Sequence, residues 1–362
     1  MKFKETNNIR HFINLLFLLF IGIIMRTYHL FSIGFSKPWR FGGLYLEFAR
    51  QIYQNHYLFP VTIPYYTYGG LPFAYPPLPF YIESFLVFSL GLPEFLIVNL
   101  LPPIVSVISL ILFYVLIKKI LKNNYSQLIS LTLYSLFPIC YWEQLEGAGL
   151  AESFGTMFII LLILAFWNYY QNPYHIRRLL LTSVIWALSV MASPVSAYLS
   201  VFIFLTFVFM LIRKKRYNLK KLILHILMLG IIAMVISSIY WGTVIRNHGF
   251  DLLVNSFTSQ HQGGLFIFDY FIRLAEMNII DGEPILSILF IVALCILIYK
   301  QEYELFLLAS IAVLIPREKW IMGIIGVFMI GYAVDVLLKN ISAKSIRFKS
   351  NRLSIIIMMI II

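Results

Sequence analysis

Long apolar runs, separated by short polar or basic segments, mark this chain from Phe12 nearly to its last residue. They fall near residues 11–30, 94–117, 126–142, 151–170, 179–193, 195–212, 219–241, 284–299, 303–316 and 320–338, and a last run begins at Leu353. Runs of roughly 20 apolar residues are what a helix needs to cross a bilayer. The pattern predicts an all-α fold, a polytopic integral membrane protein of about 10–11 transmembrane helices. One further apolar stretch, YPPLPFYIESFLVFSLGL from Tyr75 to Leu92, does not fit a crossing. Pro76, Pro77 and Pro79 suit a helix start, and Glu83 sits inside a helical segment of only about 14 residues. That segment is predicted to lie flat at the membrane boundary.

Charge supports this reading. With the N-terminus inside, the short cytoplasmic segments collect 20 of the 28 Lys and Arg residues, among them Arg213–Arg216, but only 4 of the 16 Asp and Glu residues. A crossing between Tyr75 and Leu92 would invert every later loop and destroy the bias. The first extracytoplasmic loop then spans 31–93 and carries two juxtamembrane helices, the other being GGLYLEFARQIYQNH from Gly42 to His56. A second large outer loop spans 240–284. Residues 1–362 read as a single transmembrane domain whose N-terminal run is a retained anchor, and the ten apolar residues after Arg352 suggest a chain that stops inside a helix.

Composition removes other classes. Hydrophobic residues make up 60% and charged residues 12%, and the mean hydropathy of +0.86 leaves no soluble domain. The net charge of +12 is spread over short inner loops and not gathered on one face, so nucleic acid is not the partner. Cys140 and Cys295 fall in apolar runs without metal-ligand spacing.

The candidate chemistry lies on the outer side. Glu47 is the one carboxylate on the first juxtamembrane helix, with Arg50 at i+3; it is a candidate catalytic base, and a plain intrahelical pair is the alternative. Glu143, Glu146 and Glu152 surround the small-residue turn EGAGLAES, and Glu146 with Glu152 are candidates to share an acid, base or metal role with Glu47. Arg246, His248 and Arg317 stand outside against the positive-inside trend and suit a phosphate, or else anchor the interface. Tyr65, Tyr66 and Tyr75, with Tyr68, offer flat faces and hydroxyl tips to a sugar or a lipid headgroup, or form part of an aromatic belt. Gly69 and Gly70 let this tyrosine loop turn, so it reads as a lid. The sequence leaves any metal unknown; a divalent ion needs several oxygens in one place.

The order FGGLYLEFARQI, YPPLPFYIE, ALSVMASPVSAYLSVFIFLTFVFMLIRKKR and YWGTVIRNHGFDLLVNSFTSQH resembles the GT-C superfamily of membrane glycosyltransferases, in its aminoarabinose transferase and protein O-mannosyltransferase branch. The resemblance implies a polyprenyl-phosphate-linked sugar donor, a glycan, lipid or protein acceptor, and chemistry at the extracytoplasmic face of the cell membrane. Phe41 and Gly42 occupy the places of the family's acidic pair, and Ala192 and Ser193 stand where its tight turn carries a lysine. The family mechanism therefore does not transfer residue by residue. The alternative is a non-catalytic membrane protein that binds or translocates lipid-linked glycans. Polar residues are scarce along the spans, which favours surface chemistry over transport.

Overall fold

Apolar length becomes helix almost everywhere in the computed structural model, which describes residues 2–34, 37–38, 42–65, 68–145, 149–213, 219–252, 284–302 and 319–343. Helix α1 (Lys2–Ile33) leads to α2 (Gly42–Gln54), and a small antiparallel hairpin follows, β1 (Thr62–Ile63) with β2 (Leu71–Pro72). Its register sets Thr62 opposite Pro72 and Ile63 opposite Leu71. Helix α3 (Leu78–Ser84) starts behind Pro77 and continues as a π-helical turn, Phe85–Ser89. Then come α4 (Glu94–Ile120), α5 (Asn124–Leu136), α6 (Trp142–Leu145), α7 (Leu150–Gln171), α8 (Ile176–Ala192), α9 (Pro194–Arg213), α10 (Leu219–His248), α11 (Pro284–Tyr299) and α12 (Lys319–Ala343).

Five of the described helices contain a stretch long and apolar enough to cross a membrane: Ile9–Tyr28, Glu94–Ile120, Leu150–Gln171, Pro194–Arg213 and Lys220–His248. The chain is a multi-pass membrane protein. The two juxtamembrane helices expected between the first and second spans are present as α2 and α3, and the α3 segment Leu78–Ser89 is too short to cross. The expected spans 303–316 and from Leu353 lie outside the described residues.

Two predicted boundaries move. The span expected over 126–142 stops at Leu136, because Phe137 precedes Pro138 and is extended, with φ −79° and ψ 119°. A 3₁₀ turn, Pro138–Cys140, and the short α6 follow. The outer loop expected from Tyr240 begins later, since α10 continues to His248 and ends where Gly249 adopts φ +81°. The hairpin is a third difference: strands of two residues leave no alternating pattern to read.

Chain contacts divide the fold into two compact units. Of the described residues, the first contains 2–25, 113–140, 284–302 and 319–343. Here α12 packs on α5 and α11. Asp335, fully buried on α12, accepts hydrogen bonds through Oδ1 from the N–H groups of Lys122 (3.0 Å) and Asn123 (2.7 Å) and from Ser126 Oγ (3.1 Å), and it pairs with Lys339. These donors lie around the start of α5, where backbone N–H groups lack helical partners and negative charge is favoured.

The second unit contains the described residues within 26–112 and 141–252. Helix α7 packs against α8 and α9, α8 also against α10, and α2 against α3. The core of its loop region joins Tyr45, Phe48 and Ile52 of α2, Phe73, Phe80 and Val87 of the loop, and Leu150 and Phe154 of α7. Every described candidate site residue belongs to this second unit.

Candidate functional site

The apolar stripe of α2 fixes the direction of its polar residues. Phe48 meets Phe80 edge-on at 5.0 Å and Phe73 at 5.2 Å, while Tyr45 lies 5.1 Å from Phe80. Arg50 is partly exposed, and Glu47 beside it is mostly buried. Glu47 Oε2 accepts from Arg50 Nη1 at 3.1 Å, and its Oε1 accepts from Gln51 Nε2 at 2.8 Å. Arg50 Nη2 reaches across to Glu94 Oε2 at 3.1 Å, at the first turn of α4, and its guanidinium carbon is 5.9 Å from the centre of the Phe88 ring. The intrahelical pair read from sequence is thus present, extended by a second carboxylate. The Glu47 side chain is 13% exposed, which leaves it a narrow approach from solvent.

Glu152 lies in the first turn of α7, partly buried. Its helix begins against α6: a Cβ on Gly149 would stand 2.1 Å from the Glu143 carbonyl oxygen and 2.7 Å from the Gln144 carbonyl carbon, so the approach requires glycine. Glu146 lies outside the described residues. One turn along α7, a Cβ on Gly155 would come within 2.6 Å of Ser193 Oγ. Ser193 closes α8 and opens α9 with a reciprocal cap: its Oγ accepts from Ser196 N–H at 3.0 Å, and Ser196 Oγ accepts from Ser193 N–H at 3.2 Å. With Pro194 at the first helical position, this makes a tight turn. Ala192 and Ser193, where the family turn carries a lysine, are buried against neighbouring helices.

The hairpin is anchored at its base and open at its tip. Tyr240 of α10 donates its hydroxyl to the Ala74 carbonyl at 2.8 Å, and Phe59 packs on Phe73 at 4.8 Å. Tyr65 and Tyr68 are 92% and 109% exposed, whereas Tyr75 is partly buried beside Tyr45 and Phe80. Tyr65, Gly69 and Gly70 all have positive φ. Tyr66 and Arg317 lie outside the described residues. Arg246, exposed, and His248, partly buried, are on the last turn of α10, in helix where a loop was expected.

Two site features went unread in the sequence. Glu94 is the second partner of Arg50. Glu83 of α3 is fully buried, and neither of its carboxyl oxygens has a hydrogen-bond partner; the neighbouring Ser84 Oγ has none either. Burial pushes the Glu83 carboxyl up to about 8. The signal was its place on the apolar face, four residues after Pro79, three after Phe80 and four before Val87. Among the described residues, no three His, Cys, Asp or Glu side chains converge into a set able to hold a metal ion.

No protein-family model matches the chain, and no curated protein does. Solved structures do. The archaeal oligosaccharyltransferase AglB from Archaeoglobus fulgidus, in complex with an inhibitory peptide and a dolichol-phosphate, superposes with a TM-score of 0.61 at 13% identity, over 92% of this chain and 51% of that one. ArnT from Cupriavidus metallidurans bound to undecaprenyl phosphate gives a TM-score of 0.60 at 14% identity, over 98% of this chain and 63% of that one. The chain thus has the fold of GT-C membrane glycosyltransferases. It spans about half of the AglB chain and 63% of the ArnT chain.

Proposed function

We propose that this protein transfers a sugar from a polyprenyl-phosphate-linked donor to an acceptor at the extracytoplasmic face of the membrane. The observation that carries the reading is the shared fold: AglB and ArnT, both matched over more than nine-tenths of this chain, were solved with a dolichol-phosphate and with undecaprenyl phosphate. The concentration of basic residues in the short segments on the N-terminal side supports an orientation with α2, α3 and the hairpin outside.

In this reading, the acceptor hydroxyl gives its proton to Glu47 as its oxygen bonds to the anomeric carbon, and the bond from that carbon to the lipid phosphate breaks, releasing the phosphate with its electron pair. Arg50 holds Glu47 in place, and Glu152 is the second carboxylate. Arg246 and His248 are donors for the phosphate, while Tyr65 and Tyr68 present aromatic faces to a sugar ring.

The Arg50 and Gln51 contacts on Glu47 favour a second reading, a binding protein for lipid-linked glycans in which that carboxylate is structural. Membranes carrying wild type, Glu47→Gln or Glu152→Gln, supplied with labelled polyprenyl-phosphate sugar, separate the two. Transfer by wild type that falls at least about 100-fold in Glu47→Gln supports the base assignment. Equal transfer by all three removes both carboxylates from the site, and no transfer by wild type favours the binding protein.

A further inference from the structure

Glu83 is the least expected side chain of the second unit. A carboxyl group with no solvent contact and no hydrogen-bond partner is costly to bury, and far costlier once ionised. It lies fully buried on α3, a helix that packs against α2, α7 and α8. The chain departs from α-helix immediately afterwards, in the π-helical turn Phe85–Ser89, a geometry that marks sites of function or adjustment. The mechanism proposed above makes no use of it.

We propose that Glu83 is a protonation latch: α3 stays docked on α2, α7 and α8 while the buried carboxyl is neutral, and releases from them when it ionises. The packing interface supplies the latch, and no charged partner is needed. Helix α2 carries Glu47 and Arg50, both tied to each other and to Gln51 and Glu94. Helix α7 has Glu152 in its first turn, and α8 has Arg177 and Arg178 in its first turn, while Ala192 at its far end belongs to the core around α3. The π-turn carries no ionisable group, and the nearby Tyr81 hydroxyl donates to the Tyr57 carbonyl. None of these charges accounts for the raised affinity of Glu83 for its proton; burial alone does.

The direction follows from linkage. The docked carboxyl keeps its proton to about 8, whereas a released one titrates near the ordinary 4.5. Between those values the docked state binds more protons, so raising the pH favours release, by up to about tenfold per pH unit. Below the window docking has its full strength, and above it the extra strength is gone.

The test reads α3 directly and is independent of any transfer reaction. With Cys140 and Cys295 replaced by alanine, the buried Ser84→Cys and the exposed Leu90→Cys are labelled separately with a maleimide in lipid nanodiscs, from about pH 5.5 to about pH 8.5. The ratio of the two rates cancels the ionisation of the thiol itself. In the wild-type background the ratio should rise by about tenfold or more across the range, and in Glu83→Met and Glu83→Gln it should stay flat. A flat ratio in the wild-type background, or the same rise in both Glu83 variants, overturns the latch.

Discussion

Replacing Asp335 with alanine removes the acceptor that holds the start of α5. Its Oδ1 takes hydrogen bonds from the Lys122 and Asn123 N–H groups and from Ser126 Oγ at 3.0, 2.7 and 3.1 Å; Asp335 and Ser126 are fully buried, and the two backbone bonds are part-buried. Each bond to an ionised acceptor contributes about 1.5–3 kcal/mol, offset in part by the cost of keeping a carboxylate out of water. Leaving the donors without an acceptor should therefore cost a net of about 3–5 kcal/mol. Asp335→Asn keeps an oxygen in the same place and loses only the charge and the Lys339 pair, which is half exposed on the lysine side, so its cost should be about 1–2 kcal/mol. The ordering is the test. Unfolding by SDS titration in mixed micelles, followed by far-UV circular dichroism, should place alanine about 2–3 kcal/mol below asparagine. Equal costs for the two variants would refute the argument, since the hydrogen bonds at α5 would then carry no weight.

Gly155→Ala should cost about 1–3 kcal/mol by crowding α7 against the cap of α9. Adding Ser193→Ala removes the Oγ that lies 2.6 Å from the new Cβ, so the double variant should cost less than the two singles together, and strict additivity in thermal unfolding would contradict the contact. Tyr240→Phe deletes the hydroxyl that holds Ala74 at 2.8 Å, loosening the hairpin base by about 1 kcal/mol and speeding chymotrypsin cleavage at Tyr65 and Tyr68 roughly fivefold. An unchanged cleavage rate would mean that the hairpin is held by its ring contacts alone.

The residues themselves show what could be read in advance. The spans were legible because a bilayer imposes one length and one polarity on every crossing, and the distribution of basic segments was enough to demote the α3 stretch from a span to a short helix that does not cross. Pro138 was visible in the sequence, yet apolar residues on both sides of it masked the end of α5. The Arg50–Glu94 pair joins residues 44 apart, a distance that no local pattern encodes. Glu47 with Arg50 was legible because i+3 neighbours share a helix face. The burial of Glu83 went unread because the carboxylate served only as an argument against a crossing, although its neighbours Pro79, Phe80 and Val87 were on the buried side.

The cap shared by Ser193 and Ser196 also bears on how the chain enters the bilayer. A connection between two membrane helices ordinarily exposes backbone donors that must stay hydrated while the segments partition. Here a single residue separates helices of 17 and 20 residues, and two serine hydroxyls satisfy two of the donors at the turn, the N–H groups of Ser193 and Ser196. The turn between α8 and α9 thus leaves fewer backbone donors for water to satisfy than an uncapped connection would.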